Sequence, residues 1–348
     1  MQHFIQTKLK GNWVIVIMGL FFILYPIFAD RYTQHIFVMI IFFALAAQAW
    51  NLMCGYVGEL SLGHGIFLGI GGYTSSLLLI GTGLNPWIGM IIGAVLAMAI
   101  GIAIGYPSFK LRGPYFTLTS IAFAEILRIW VENNETLFGI DIKGAQGITL
   151  PQLGDGLLYF EFYSKLSYYY IALIFLAGTM LVTYFIRINR FGFYLTAIKS
   201  DPDAAQSLGI NLTKYKLLAM AISSFIIAFA GTFYAQYFRY IGPTRIFGHD
   251  FSVEIALIGL VGGQGTILGP WFGAMILVPV SEYLSEQFGG SLPGLHLFIY
   301  GVIMTVVVFK SPEGVSKYIH AFSRWIEKKI GMLFGGLGTN HVRGGKAS

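Results

Sequence analysis

The chain has 348 residues, 56% of them hydrophobic and 11% charged, with 44 Gly, 30 Phe, 20 Tyr and a mean hydropathy of +0.70. An ordinary soluble domain carries roughly 25% charged residues, so this composition excludes a soluble globular protein and leaves no polar block for a separate soluble domain. The net charge of +6 would hint at nucleic acid in a soluble chain, but here Lys and Arg flank apolar runs, so it marks orientation in a bilayer and no nucleic-acid partner is expected.

Apolar runs of mostly bilayer-crossing length cover residues 13–29, 36–54, 62–80, 86–106 and 114–130, then 168–186, 217–238 and 295–309. In lipid every backbone amide needs an internal partner, and runs near 20 residues favour helices over barrel strands of about ten. The first run lacks an A-x-A-like site near Ala29, which argues against a removed signal peptide. The block 251–283 is too long for one span, and charge decides how to divide it. Lys8 and Lys10, then Lys110 and Arg112, then Arg187, Arg190, Lys199, Lys214 and Lys216, and finally Lys310, Lys317, Arg324, Lys328, Lys329, Arg343 and Lys346 all fall on one side only if the block crosses twice. Its natural break is Gly262-Gly263-Gln264-Gly265-Thr266, a poor place to sustain a helix.

The expectation is an all-α polytopic membrane protein of about ten spans in the cytoplasmic (inner) membrane, both termini inside. Residues 1–310 form a single transmembrane domain with a cytoplasmic loop at 187–216, and 311–348 form a basic tail. In the tail Ile319, Phe322, Ile326 and Ile330 share one helical face, as in a helix lying on the inner leaflet. Lone Cys54 excludes an internal disulfide.

Small residues four apart, as at Gly89 and Gly93 or Gly101 and Gly105, predict close helix packing. Two clusters, at 55–72 and 259–273, are denser than packing needs and predict broken helices, one in each half of the chain, as in transporters that bind substrate between interrupted segments. Ionisable groups within spans are costly and are therefore candidates by default. Glu59, Ser61 and His64 lie in the first cluster, Glu125 and Arg128 sit three apart on one helix face, Glu254 opens the divided block, and Gly262, Gly263 and Gln264 form its break. These are the translocation-path candidates, with mutual neutralisation the plainer explanation of Glu125 and Arg128. No phosphate loop, H-E-x-x-H, C-x-x-C, G-x-S-x-G or G-x-G-x-x-G occurs, so neither a catalytic centre nor a metal or cofactor is expected.

The loop 191–211 carries start and stop signals for a short helix. Asp201 suits the N-cap, Pro202 the first helical position, Asp203 the positive dipole end and Gly209 a left-handed position past the end. Such a capped helix is fit to dock into a partner's groove, with Ala205 expected to face it.

Four stretches then carry a specific resemblance: 55–67 (GYVGELSLGHGIF), 111–118 (LRGPYFTL) with 123–126 (FAEI), the loop 191–211, and 262–270 (GGQGTILGP). Over about residues 45–308 the chain resembles the branched-chain amino-acid ABC permeases, Liv-type M subunits, and so the type II ABC importer permeases. The resemblance implies a non-catalytic subunit served by two ATP-binding subunits, a second homologous permease and an external substrate-binding protein. It matches Ala197, Ala204, Ala205, Leu208 and Gly209 to the segment that couples to the ATPase, and the N-cap Asp201 is included in that coupling set. It departs from the commonest form at 199–203. Related permeases for urea or short amides share these motifs, and a self-contained secondary carrier is the rival class.

Overall fold

A computed structural model describes residues 13–110, 114–137, 139–152, 154–288, 295–310 and 314–315. The tail helix expected around Ile319 to Ile330, the flanking Lys8 and Lys10, and Arg112 lie outside them. The described chain is predominantly helical. Its first half comprises α1 (Trp13–Phe28), α2 (Arg31–Asn51), α3 (Gly65–Thr82), α4 (Pro86–Ser108) and α5 (Pro114–Asn133). After an irregular stretch come α6 (Lys165–Ile188), the short pair α7 (Arg190–Ser200) and α8 (Pro202–Ser207), α9 (Leu212–Phe238), the single turn α10 (Pro243–Ile246), α11 (His249–Gly262), α12 (Gly269–Phe288) and α13 (Leu295–Lys310). Two small antiparallel pairs, β1 (Thr136–Leu137) with β2 (Ile140–Asp141) and β3 (Ile148–Thr149) with β4 (Tyr240–Ile241), fasten the irregular stretch at one end of the bundle.

Five helical segments among the described residues are long and apolar enough to cross a membrane: Arg31–Val57, Gly65–Thr82, Pro86–Ser108, Lys165–Ile188 and Leu212–Phe238. Several begin earlier than hydropathy alone suggests, because polar caps extend them. Asp30 accepts from Tyr32 N at 3.2 Å and starts α2, Ser164 starts α6, and Asn211 accepts from Lys214 N at 3.0 Å and starts α9. The expected division of the block 251–283 is present: α11 stops at Gly262 and α12 starts at Gly269.

Segment Arg31–Val57 runs through the centre, 94% of its most apolar window buried. It packs on α6, α9, α11 and α12, while α3, α4 and α9 form a close triple. That triple corrects one expectation. Residues 65–72 are regular helix, not a break, and their glycines serve contact: a Cβ on Gly71 would stand 2.2 Å from the Ala228 carbonyl oxygen, and one on Gly231 only 1.8 Å from that of Leu68. The break in this region is shorter, at 58–64. On α4 the face carrying Gly89, Gly93 and Gly101 meets α3 and α9, whereas Ile88, Ile91 and Val95 are 49, 54 and 47% exposed and form a lipid-facing side.

This packing makes a direct prediction. Gly231→Leu should lower the melting temperature of the detergent-solubilised protein, by an overpacking cost of about 1–3 kcal/mol. Gly178→Leu, where an added Cβ meets nothing within 4 Å, should leave it near wild type. Equal melting temperatures would contradict the close α3–α9 contact.

Candidate translocation and coupling site

The two glycine clusters meet. Past Asn51, α2 widens into a π-helical turn, Leu52–Val57, which ends at Gly58 with φ +87°. An ordinary side chain tolerates that dihedral poorly, so glycine is required. Across from this turn lies the second break, 263–268, where Gly263 and Gly265 also have positive φ. A Cβ on Gly55 would stand 2.5 Å from Gly265 N, so the backbones touch. Asn51, fully buried, joins them: its Nδ2 donates to Thr266 O at 2.9 Å and its Oδ1 accepts from Gly265 N at 2.9 Å. One carboxamide thus replaces, for the second break, hydrogen bonds that the helix no longer supplies.

The unwound residues 58–64 are satisfied in the same way by side chains from other helices. Trp50 Nε1 donates to Ser61 O at 2.7 Å, Leu62 N donates to Ser120 Oγ at 3.1 Å, and Gly65 N donates to Ser252 Oγ at 2.9 Å. His64 lies between Ser61 Oγ at 2.8 Å from Nδ1 and Ser223 Oγ at 2.9 Å from Nε2. Ser223 gives its only proton to Ala49 O at 2.6 Å, so it accepts from Nε2–H, and Nδ1 accepts from Ser61. Ser61, His64 and Ser223 are all fully buried. They form a strut between α2, α3 and α9, so His64, expected on the translocation path, is instead an enclosed packing residue.

Glu59 forms an ion pair with Lys216, both side chains largely covered. Lys199, in α7, donates from Nζ to Gly55 O at 2.7 Å. The helix pair α7–α8 is therefore fastened to the same junction. Gln264 is exposed, whereas Gly262 and Gly263 are buried. A Cβ on Gly262 would come within 1.9 Å of Gly269 O.

Glu125 and Glu254 do not join this group. Arg128 is clamped between Glu125 at 2.7 Å and Glu132 at 2.7 Å; Glu132 also accepts from Thr244 Oγ1 at 3.0 Å, and Arg245 stands 3.9 Å from Glu254. From Ser120, which holds the junction loop, to Glu132 the helix rises about 18 Å. These charges form a second polar region towards the other end of α5, and the neutralisation expected for Glu125 and Arg128 is present.

The loop expected to hold one capped helix holds two, with the bend at Asp201. Asp201 Oδ1 accepts from Asp203 N and Ala204 N, both at 3.0 Å. At the far end Ile210 N bonds to Ala205 O at 3.1 Å and Gly209 N to Gln206 O at 2.9 Å, with Gly209 at φ +84°. That is a complete Schellman motif. One orientation needs correction: Ala205 is only 2% exposed and packs inward beneath the loop, because helical periodicity turns it away from Ala204. Ala204, Leu208 and Gly209 face outward, Leu208 being 83% exposed, and Ala197 is half-buried.

Sequence reasoning missed Asn51, Lys199, Lys216 and Ser223. Asn51 carried the one available signal, a carboxamide in an apolar run four residues before Gly55. The others are defined by partners far away in the chain.

The family model described as branched-chain amino acid transport system / permease component matches residues 32–308. Among curated relatives, the high-affinity branched-chain amino acid transport system permease protein LivM of Escherichia coli K12 is 26% identical over 327 residues, covering 89% of this chain and 76% of LivM. LivM of Salmonella typhimurium is 26% identical over 335 residues, covering 90% and 77%. LivH of Escherichia coli K12, the permease protein of the same name class, is 25% identical over 292 residues, covering 78% and 92%. With its helical bundle and broken-helix junction spanned by that match, the chain belongs to the branched-chain amino acid transport system permease component family.

Proposed function

We propose that the chain is the permease subunit of an ATP-driven importer, moving branched-chain or other hydrophobic amino acids across the inner membrane by alternating access. The reading extends to ten spans with both termini inside, arranged as in type II importer permeases. Its partners are two ATP-binding subunits, a second homologous permease and an external binding protein. The chain itself does no chemistry. The single observation that carries the reading is α8: a helix stopped at both ends by its own hydrogen bonds, with Leu208 83% exposed, held by Lys199 against the junction of the two broken segments. A free-standing carrier has no need of such an outward-facing, rigidly mounted element. Relatives named as amino-acid permease proteins support the substrate class.

The test is ATP hydrolysis by the complex reconstituted with its binding protein. Leu208→Glu places a charge on the outward face, and Gly209→Val forces a β-branched residue into a positive φ at a cost of about 1–3 kcal/mol. Both variants should reach the membrane normally, bind the external protein as wild type does, and lose at least about tenfold in substrate-stimulated hydrolysis, the rate factor that 1.4 kcal/mol of lost coupling represents. Unchanged stimulation in Leu208→Glu, or uptake by the chain alone down an ion gradient, would overturn the reading. Ala205→Glu should instead destabilise the α7–α8 pair, since that methyl is buried.

Topology has its own check. In a Cys54→Ala background, Gln264→Cys should resist an impermeant thiol reagent added to intact cells and react in inverted vesicles. Strong labelling from outside would contradict the ten-span arrangement.

A further inference from the structure

Four lysines gather where α2 and α4 end and α9 begins, and two of them are already engaged: Lys216 with Glu59 and Lys199 with Gly55 O. Lys110 and Lys214 are not. Among the described residues neither makes an ion pair; Lys110 Nζ stands 4.9 Å over the Tyr106 ring and Lys214 Nζ 6.0 Å from that of Tyr215. Both border one cavity of about 550 Å³ between α4 and α9, whose wall is apolar: Ile102, Tyr106, Leu217 and Leu218.

The layout has a direction. Lys110 lies two residues past the end of α4 at Ser108, and Lys214 lies in the first turn of α9, so the ammonium groups stand level with the ends of two membrane-length helices. Below them the wall runs down the helices, Ile102 40% and Leu218 43% exposed, and along α4 it continues into the lipid-facing side marked by Ile88, Ile91 and Val95. A cationic rim over an apolar groove, open sideways to the bilayer, matches a phosphate joined to acyl chains. A free phosphate would use the rim and leave the groove unfilled, and an amino acid would bring an ammonium group against two others.

We infer that this groove is a binding site for an anionic phospholipid of the leaflet on the coupling-loop side, its phosphate on Lys110 and Lys214 and an acyl chain along Ile102, Leu217 and Leu218. Lys110 also lines the neighbouring cavity that holds Glu59 and Lys216, so the groove adjoins the junction; its test does not depend on transport.

The assembled complex, purified in detergent and stripped of lipid, is titrated with dioleoyl phosphatidylglycerol, dioleoyl phosphatidylcholine and inorganic phosphate, and bound lipid is counted by native mass spectrometry. Phosphatidylglycerol should bind about thirtyfold more tightly than phosphatidylcholine, the ratio that about 1 kcal/mol for each of two lysines gives. Lys110→Gln with Lys214→Gln should bring the ratio close to one. Ala221→Phe, which fills the groove floor and keeps both lysines, should lower binding of both lipids. Inorganic phosphate should not displace the lipid. Equal affinity for the two lipids, a ratio unchanged by the double substitution, or displacement by inorganic phosphate would each overturn the site. So would binding seen for the chain alone but not for the complex, which would assign the rim to a partner protein.

Discussion

The buried carboxamide of Asn51 closes the hydrogen bonds of a helix that has none left to offer at Gly265 and Thr266. In an apolar bundle an unmet backbone N–H or C=O costs about 1–3 kcal/mol and finds no water to relieve it. Breaking α11 from α12 is therefore feasible only where a neighbouring helix supplies both a donor and an acceptor, and only if backbones come close enough for a short side chain to reach. Glycine at 55 and 265 permits that approach, and the π-helical turn at Leu52–Val57 presents it. The remaining parts of the junction are arranged around this contact.

On one side the strut Ser61, His64 and Ser223 ties the unwound residues 58–64 to α9, which is locked by glycine contacts to α3 and α4. On the other, Lys199 ties α7 to the same π-helical turn. A displacement of α8 by a partner would thus reach Gly55 through one side-chain hydrogen bond and, through Gly55 and Asn51, the second break. Under the proposed function this is the shortest route by which ATP-driven movement would enter the bundle, and it runs through hydrogen bonds and backbone contacts, which switch between discrete arrangements more readily than a packed apolar core deforms.

Much of this was legible from sequence where the signal is local. Helical class follows from run length and composition, the second break from Gly262 to Thr266, and the start and stop of α8 from Asp201 and Gly209, because a cap is made by residues a few positions apart. Partners were not legible. Asn51 and Thr266, Glu59 and Lys216, and His64 and Ser223 lie more than 150 positions apart, and nothing in either segment alone identifies the other. Asn51 carries no charge and lies outside both glycine clusters, although an amide in lipid has the same demand for a partner as a charge does, on a smaller scale. The glycines at 65–72 misled for a related reason: close packing and helix breaking use the same residue, and only the neighbouring backbone tells them apart. Ala205 shows the limit of the cap signals, which set where the helix starts and stops but not which of its faces turns inward.

The central claim is that Asn51 couples the two breaks, and through Gly55 the α7–α8 pair, into one unit. Amide hydrogen exchange of the full chain against Asn51→Leu tests it most directly. The account predicts faster exchange at Gly265, whose N–H loses its acceptor, together with faster exchange in residues 52–62 and in α7, while α3, α4 and the far half of α5 stay as in wild type. Exchange that rises at Gly265 alone, or nowhere, would contradict the claim and leave the two breaks as separate local features.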